Sequence, residues 1–299
     1  MLIGMMLVKN EEGRYLERVL EQMRSICDKI IVLDDCSTDD TPEICKAYGA
    51  EVYPSIQSYW GTNELKQRKL LWEMATHEAK FGDWILCLDA DETFDKPELL
   101  RDYIQKADAA GCNSLAFTLY DMWDAEHYRD DQYWQGHNGV WPFCVKYEDV
   151  DYFWKEAPLH CGRFPMNAVN RMASCPIRIQ HWGWAKPEDR REKYERYMKA
   201  DPEGKYGCME QYKSILDPNP TLRVFGIETN SKEWWENEFK ENWRVGIDGV
   251  EQTRYFMKRI LETVQFNQGT NVLDWGCAMG QGVDELNKAG YKAEGYDFS

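Results

Sequence analysis

Over residues 1–120, short apolar segments alternate with segments of helical periodicity, and this alternation constrains the fold most strongly. Strands are predicted at Leu2–Val8, Lys29–Leu33 and Trp84–Leu88. Their apolar runs lack a polar face, which is typical of strands that are buried on both sides of a sheet. The pattern therefore predicts an α/β fold in which helices flank a mostly parallel sheet and ligands bind at the carboxyl ends of the strands.

The composition of the chain limits its possible binding partners and indicates its cellular compartment. Acidic residues outnumber basic ones 52 to 36, which gives a net charge of −16. Nucleic acid is an unfavourable partner for such a chain, because a polyanion would be repelled. No apolar segment is long enough to span a bilayer, so any membrane contact would be peripheral. The ten cysteines are scattered without a C-x-x-C pair, which is typical of reduced thiols in a cytoplasmic protein.

Acidic side chains follow two of the predicted strands. Asp34 and Asp35 end the second strand, and Asp89, Asp91 and Glu92 follow the strand that begins at Trp84. Carboxylates so close together repel one another unless something offsets their charge. A divalent cation with a preference for oxygen ligands, Mg²⁺ or Mn²⁺, would do so. The alternative is that these acids only shape the turn before the next helix.

Three motifs resemble family 2 glycosyltransferases of the GT-A fold, which is a Rossmann-like α/β fold. They are Met6-Leu-Val-Lys-Asn-Glu-Glu, Val32-Leu-Asp-Asp-Cys-Ser-Thr-Asp-Asp-Thr and Leu88-Asp-Ala-Asp-Glu. The resemblance covers about residues 1–200. It implies a nucleoside-diphosphate sugar as donor and a carbohydrate or other hydroxyl compound as acceptor. One departure is Cys36, where the family usually has glycine.

The resemblance also implies roles for individual residues. Contacts with the nucleotide sugar are implied for Asn10, Glu12, Asp35, Lys66, Arg68 and Asp89. Asp91 would hold the metal. A second stretch also resembles members of this family, namely His181-Trp-Gly-Trp and the basic helix after it. The resemblance implies that His181, although far from Asp91 in the sequence, is a further metal ligand. A histidine ligand would favour Mn²⁺, and the alternative is a histidine satisfied by hydrogen bonds at a strand end.

The catalytic base is less clearly indicated. Transfer with inversion needs a group that takes the proton of the acceptor hydroxyl. The candidates are Glu148, Asp149, Asp151 and Glu156, with Glu156 as first choice. Related enzymes often have His-Glu where this chain has His160-Cys161, and a thiol is a poor replacement for that glutamate.

The C-terminal segment resembles the start of a class I S-adenosylmethionine (SAM)-dependent methyltransferase. Its motif is Val272-Leu-Asp-Trp-Gly-Cys-Ala-Met-Gly, followed by a helix and a strand that ends in an acid. By position, SAM contacts are implied for Asp274, Gly276, Gly280 and Asp297. Only two strands of such a domain are present, so SAM binding is expected only with the complete domain. We expect this chain to be a fragment of a bifunctional glycosyltransferase and methyltransferase.

These observations predict three segments, which are a GT-A glycosyltransferase domain at residues 1–200, a helical extension at 201–265, and a methyltransferase fragment at 266–299. The main function that the resemblance implies is a metal-dependent, inverting transfer of a sugar from a nucleoside diphosphate to an unknown acceptor. A sugar-phosphate nucleotidyltransferase is a less favoured alternative, because Lys9-Asn-Glu-Glu stands where that class has a glycine-rich loop. A second alternative is a non-catalytic module that binds nucleotide sugars or glycans and orients the methyltransferase.

Overall fold

The computed structural model describes residues 1–226, 271–275, 281–288 and 291–296. The chain forms two compact units, Met1–Phe225 and Gly226–Ser299. Within the described ranges, no helix combines the length and the apolar character that crossing a bilayer requires.

One eight-stranded sheet organises the first unit. Its strands, in chain order, are β1 (Leu2–Val8), β2 (Lys29–Asp34), β3 (Glu51–Pro54), β4 (Trp84–Cys87), β5 (Glu92–Phe94), β6 (Ser114–Asp121), β8 (Trp141–Lys146) and β9 (Met172–His181). They lie in the order β3-β2-β1-β4-β8-β6-β9-β5. Four of the seven strand pairings are parallel. A separate antiparallel pair joins β7 (His127–Arg129) to β10 (Leu222–Val224). The predicted α/β class with a mostly parallel sheet is confirmed.

Helices pack on both faces of this sheet. The helices of the first unit are α1 (Leu16–Ile26), α2 (Thr41–Ala47), α3 (Glu64–Glu78), α4 (Leu100–Ala109), α5 (Pro187–Ala200) and α6 (Met209–Ser214). Helix α1 buries Leu16, Val19, Leu20 and Met23, whose spacing places them on one face of the helix. Helix α3 begins after Asn63, whose side chain accepts a hydrogen bond from a backbone N–H in the first turn.

Strand β1 is buried on both faces, as its sequence predicts. Leu2, Met6 and Val8 pack into the core beneath α1, whereas Ile3 and Met5 pack into the core on the opposite face. The carboxyl ends of β1, β2 and β4 consequently meet at one edge of the sheet, because these strands are parallel neighbours.

The sequence periodicity does not predict strand β5 or the strands β7 to β10 of the first unit. Strand β8 is inserted antiparallel between β4 and β6, and β9 runs parallel to β6. The short strand β5 pairs with the end of β9, in a register that sets Glu92 opposite His181. This pairing carries the end of β9 back to the acidic turn that follows β4.

The first unit also extends past the predicted boundary at residue 200. Arg129 in β7 is 1% exposed, and its guanidinium donates to the Ser214 carbonyl oxygen at 2.6 Å. The Trp134 indole donates to the Ser214 hydroxyl at 2.9 Å. These buried contacts and the β7–β10 pair attach residues 201–225 to the sheet domain. The rest of the predicted helical extension, residues 227–265, lies outside the described residues.

Cys36 has a backbone conformation that glycine adopts more easily. Its φ is +60°, in the left-handed region, where a side chain costs about 1–2 kcal/mol. We expect Cys36→Gly to raise the free energy of unfolding by about 0.5–1 kcal/mol, because the relief of strain exceeds the added entropy of the unfolded glycine. Urea denaturation measures this, and Cys36→Ala is the control that keeps the strain. Equal stability of the two variants would contradict the explanation.

The described part of the second unit is a strand–helix–strand segment. Strand β11 (Asn271–Trp275) and strand β12 (Lys292–Tyr296) are parallel, and helix α7 (Gln281–Lys288) lies between them in the chain. This is the order predicted for the segment. Asp274 is in β11, where it is in register with Gly295, whereas Gly276, Gly280 and Asp297 lie outside the described residues.

Candidate active site

A pocket of about 290 Å³ opens at the edge of the sheet where β1 and β4 end. Its charged lining includes five basic residues, Arg14, Arg68, Arg163, Lys193 and Arg196, and five acidic ones, Glu11, Glu64, Asp89, Asp91 and Glu92. The imidazoles of His160 and His181 and the phenol of Tyr197 complete its ionisable lining. The balance of charge differs from that of the whole chain, in which acids exceed bases by 16. An anion would therefore meet less repulsion here than elsewhere on the protein.

Asp91 and His181 meet at the floor of this pocket. The Asp91 Oδ2 atom lies 3.4 Å from His181 Nε2. The backbone fixes this approach, since the Trp182 N–H donates to the Asp91 carbonyl oxygen at 2.7 Å. On the other side of the ring, His181 Nδ1 lies 2.8 Å from Asp121 Oδ1. Asp121 therefore fixes the ring through Nδ1 and directs Nε2 towards Asp91, as carboxylates behind metal-binding histidines do.

Lys193 places its ammonium beside the same two atoms. Its Nζ lies 3.1 Å from Asp91 Oδ2 and 3.4 Å from His181 Nε2. Burial would raise the pKa of Asp91, but Lys193 and then His181 lower it well below its usual range. Burial would lower the pKa of His181, but Asp91 raises it to about 10. Asp91 is thus held as a carboxylate.

Gly183 provides the space in which these three groups meet. A Cβ at this position would lie 1.9 Å from Lys193 Nζ and 2.1 Å from Asp91 Oδ2. Any larger residue would displace the charged groups. The glycine between the two tryptophans of the His181-Trp-Gly-Trp segment therefore leaves the room in which the charged groups adopt this arrangement.

Asp89 has a different environment from Asp91. Its Oδ1 accepts a hydrogen bond from Arg68 Nη2 at 2.9 Å, and its Oδ2 pairs with Arg163 Nη1 at 3.0 Å. Arg163 also donates to Glu92 at 2.5 Å. Burial would raise the pKa of Asp89, but Arg163 and then Arg68 lower it to about 2. Asp89 therefore anchors two arginines at the pocket wall, and both of its oxygens are occupied by them.

Removing Arg163 is expected to destabilise the fold, because Glu92 is 1% exposed and would lose its counter-ion. Breaking a buried ion pair in this way costs about 3 kcal/mol. Arg163→Met tests this by urea denaturation. The control is Arg171→Met, since the Arg171 side chain is 51% exposed in its pair with Glu148 and surface pairs contribute about 0–1 kcal/mol. Similar losses in the two variants would show that burial does not decide the effect.

Four of the predicted nucleotide-binding residues lie outside the pocket lining. Asp35 is fully buried and accepts hydrogen bonds from the hydroxyl of Ser58 and the backbone N–H groups of Tyr59 and Trp60, at 2.7–3.1 Å. The other three residues also contact neighbouring loops: Asn10 accepts a hydrogen bond from the Thr38 N–H, Glu12 accepts one from the Asp40 N–H, and the Lys66 ammonium lies over the Tyr59 ring. These side chains order the loops beside the pocket.

The predicted base Glu156 is on the surface. Its carboxylate pairs with Lys69 at 2.8 Å, and its side chain is 71% exposed. Cys161 is buried, and burial raises the pKa of its thiol to about 11, so it is a poor proton acceptor at neutral pH. Neither residue lines the pocket.

The neighbour of Cys161, His160, does line the pocket, and although it is exposed, a hydrogen-bond chain through the buried residues Tyr212 and Asp201 holds it. His160 has a φ of +53°, and its Nε2 lies 3.3 Å from the Tyr212 hydroxyl. That hydroxyl donates to Asp201 Oδ2 at 3.2 Å. The Asp201 carboxylate is fixed in turn by three backbone N–H groups, those of residues 205–207.

Glu11, rather than Glu12, faces the pocket. Its side chain lies 3.6 Å from Arg14 Nε. Burial, and then Asp91, raise the pKa of Glu11 to about 8, although Arg14 lowers it. Sequence reasoning missed Glu11 together with Arg163 and Lys193.

Comparison with known proteins identifies the family of the first unit. The family model described as Glycosyl transferase family 2 matches residues 5–182. The chain belongs to this family. The family 2 match contains β1, the acidic turn after β4 and His181.

Individual relatives of this family 2 chain match it only in part. An uncharacterized glycosyltransferase of Rickettsia typhi is 33% identical over 126 residues, which are 42% of this chain and 39% of that protein. An uncharacterized protein of Mycobacterium tuberculosis is 24% identical over 257 residues, 80% of this chain and 58% of that protein. The chain therefore spans less than two thirds of the length of these relatives.

Among solved structures, the chain is similar to glucosyl-3-phosphoglycerate synthase from Mycobacterium tuberculosis. In its complex with phosphoglyceric acid it is 15% identical, with a TM-score of 0.41 over 67% of this chain and 79% of that one. In its complex with Mn²⁺, uridine-diphosphate-glucose and phosphoglyceric acid it is 20% identical, with a TM-score of 0.29 over 40% and 43%.

Proposed function

We propose that the first unit transfers a sugar from a nucleoside diphosphate to an acceptor hydroxyl with inversion, and that a divalent cation assists the reaction. The observation that carries this proposal is the convergence of Asp91 and His181 in a pocket lined by five basic and five acidic residues, at the strand ends of a family 2 glycosyltransferase.

The side chains of this pocket fit a divalent cation that is bound partly by the protein and partly by the diphosphate of the sugar donor. Among the described residues no group of three or more His, Cys, Asp or Glu side chains is arranged to hold a metal. Asp91 and His181 offer one oxygen and one nitrogen, and Gly183 leaves space beside them. This pair would hold Mn²⁺ or Mg²⁺, with phosphate oxygens and water as further ligands. The bound ion would neutralise charge on the departing diphosphate.

Other side chains of the pocket can bind the phosphate and sugar oxygens of the donor. Arg68 and Arg163 are fixed by Asp89 and lie on the wall, where their guanidinium groups can pair with phosphate oxygens. Gln67 is 2% exposed, and its Nε2 has no hydrogen-bond partner among the described residues. A buried donor without a partner is costly. Because Gln67 also lines the pocket, an oxygen of the donor sugar or diphosphate is a suitable partner.

His160 is the base that the geometry supports in place of Glu156. The single hydroxyl proton of Tyr212 goes to Asp201, so its oxygen accepts the Nε2 proton of His160. The lone pair then resides on Nδ1, in the tautomer required of a base. As the acceptor oxygen bonds to the anomeric carbon, its proton passes to Nδ1. The bond from that carbon to the diphosphate oxygen breaks, and the diphosphate leaves with the electron pair.

A donor panel tests the proposal. Sugars of UDP, GDP and dTDP are incubated with the protein and Mn²⁺, Mg²⁺ or EDTA, and nucleoside diphosphate release is measured. Slow hydrolysis of one donor, lost in EDTA, is the expected result. A donor that raises the melting temperature without being cleaved, with a carbohydrate acceptor panel present, would favour the alternative of a binding module.

For the second unit we propose the start of a SAM-dependent methyltransferase domain. Its parallel strand–helix–strand segment supports this, since the segment has the arrangement with which such domains begin. Binding of labelled SAM to a chain that contains the complete domain tests the assignment. Unchanged binding after Asp274→Ala would overturn the role of that residue.

A further inference from the structure

Lys193 extends from helix α5 into the floor of the pocket, and it is 7% exposed. Its stem crosses the Trp184 ring, with Nζ 4.5 Å from the ring centre. One turn earlier in the helix, Asp189 pairs with Arg14 at 3.0 Å. This second ion pair attaches α5 to the loop that follows β1. The helix is thus anchored independently of Lys193, whose flexible end alone reaches Asp91.

The Lys193 ammonium uses the atoms that a divalent cation needs. It lies 3.1 Å from Asp91 Oδ2 and 3.4 Å from His181 Nε2. Since Nδ1 of the same ring is engaged by Asp121, Nε2 is the ring atom through which His181 can bind a metal ion. A metal ion bonded to Asp91 Oδ2 and His181 Nε2 would occupy the space beside these atoms in which the ammonium lies, and the two cations would repel one another. Ammonium and metal therefore exclude one another at this position.

The Lys193 ammonium also compensates the charge of Asp91. Asp91 is a carboxylate whose side chain is only 18% exposed, and a buried charge without a counter-ion is strongly unfavourable. A tethered ammonium meets this need at a high effective concentration. When an anionic diphosphate enters the pocket, it offers the same ammonium a competing partner.

We propose that Lys193 occupies the cation position in the nucleotide-free protein, so that a divalent ion binds tightly only after a nucleoside diphosphate has drawn the ammonium away. This inference rests on the proposed function in one respect, which is that Asp91 and His181 hold the metal. Its consequence is an order of binding. The apparent metal affinity of the free protein is reduced by the fraction of molecules in which Lys193 has left Asp91.

Direct titration with Mn²⁺, followed by the electron paramagnetic resonance signal of the free ion, tests this without any turnover. In the absence of nucleotide, Lys193→Met should bind Mn²⁺ about tenfold more tightly than the wild type. Lys199→Met is the matched control, because it removes one positive charge from the exposed side of the same helix; its Mn²⁺ affinity should stay at the wild-type value. Lys193→Gln is a second variant in case the methionine variant folds poorly.

Nucleoside diphosphates provide the second arm of the test. UDP, GDP and dTDP are added in turn, and the one that binds should tighten Mn²⁺ binding by the wild type more than by Lys193→Met. The reason is that ammonium displacement contributes only in the wild type. Equal or weaker Mn²⁺ binding by both Lys193 variants without nucleotide would overturn the inference. If Mn²⁺ binding instead survives in Asp91→Asn, the metal lies elsewhere, and the proposed function itself fails.

Discussion

Asp91→Asn is expected to reduce nucleoside diphosphate release by about 10³-fold, which is the upper range for the loss of one preorganised electrostatic group. Asp91 is the only carboxylate in the described part of the chain that contacts both His181 Nε2 and the Lys193 ammonium. Asparagine keeps the shape of the side chain but removes the negative charge that attracts a cation. The measurement is the turnover rate with saturating donor and Mn²⁺.

The matched control for this variant is Asp95→Asn. Asp95 lies at the other end of β5, where it pairs with Arg178 at 2.7 Å, and it does not line the pocket. Its replacement should leave turnover within about threefold of the wild type, as expected of a residue without contact with the reacting groups. Comparable losses in both variants would assign the effect to the fold of this turn, and would contradict a specific role for Asp91.

His160→Asn is expected to reduce turnover by about 10²- to 10⁴-fold, the usual contribution of a positioned general base. Asparagine accepts the left-handed backbone conformation found at this position, so the loop should keep its shape. Donor affinity should remain unchanged, because the proposed role concerns the acceptor proton. The measurement is kcat for transfer or donor hydrolysis, together with donor affinity from equilibrium titration.

Two comparisons make the His160 test specific. Tyr212→Phe removes the hydroxyl that orients the imidazole and should lower kcat by about tenfold with little change in donor affinity, a smaller loss than that of the base itself. His137→Asn is the control for loss of an imidazole that contacts another side chain, since His137 pairs with Asp130 at 3.1 Å away from the pocket. If His160→Asn keeps wild-type kcat, the base is another group, and Glu11 and Glu64 are the remaining acids of the lining to test.

The sequence was sufficient to predict the first four strands and the position of the acidic turn. Unbroken apolar runs identify strands that are buried on both faces, and parallel strands that alternate with helices bring their carboxyl ends to one edge. The pairing of β5 with β9 was not predictable, because it joins residues almost 90 positions apart through strands without clear periodicity. That pairing brings His181 to Asp91.

Lys193 was missed because nothing in the local sequence distinguishes it. Helix α5 carries charged side chains all around its surface, so a periodicity argument leaves the entire helix exposed. In the structure Asp189 and Lys193, four residues apart, are buried on one face. His160 was passed over for a related reason, since its partners Tyr212 and Asp201 lie more than 40 residues away.

Anomalous diffraction from crystals grown with Mn²⁺ and the nucleoside diphosphate that binds is the most direct test of the central claim, that metal and diphosphate meet between Asp91 and His181. The account predicts a manganese peak bonded to Asp91 Oδ2 and His181 Nε2, with the Lys193 ammonium moved from its 3.1 Å contact with Asp91. A bound nucleotide with manganese elsewhere, or with Lys193 still on Asp91, would contradict it.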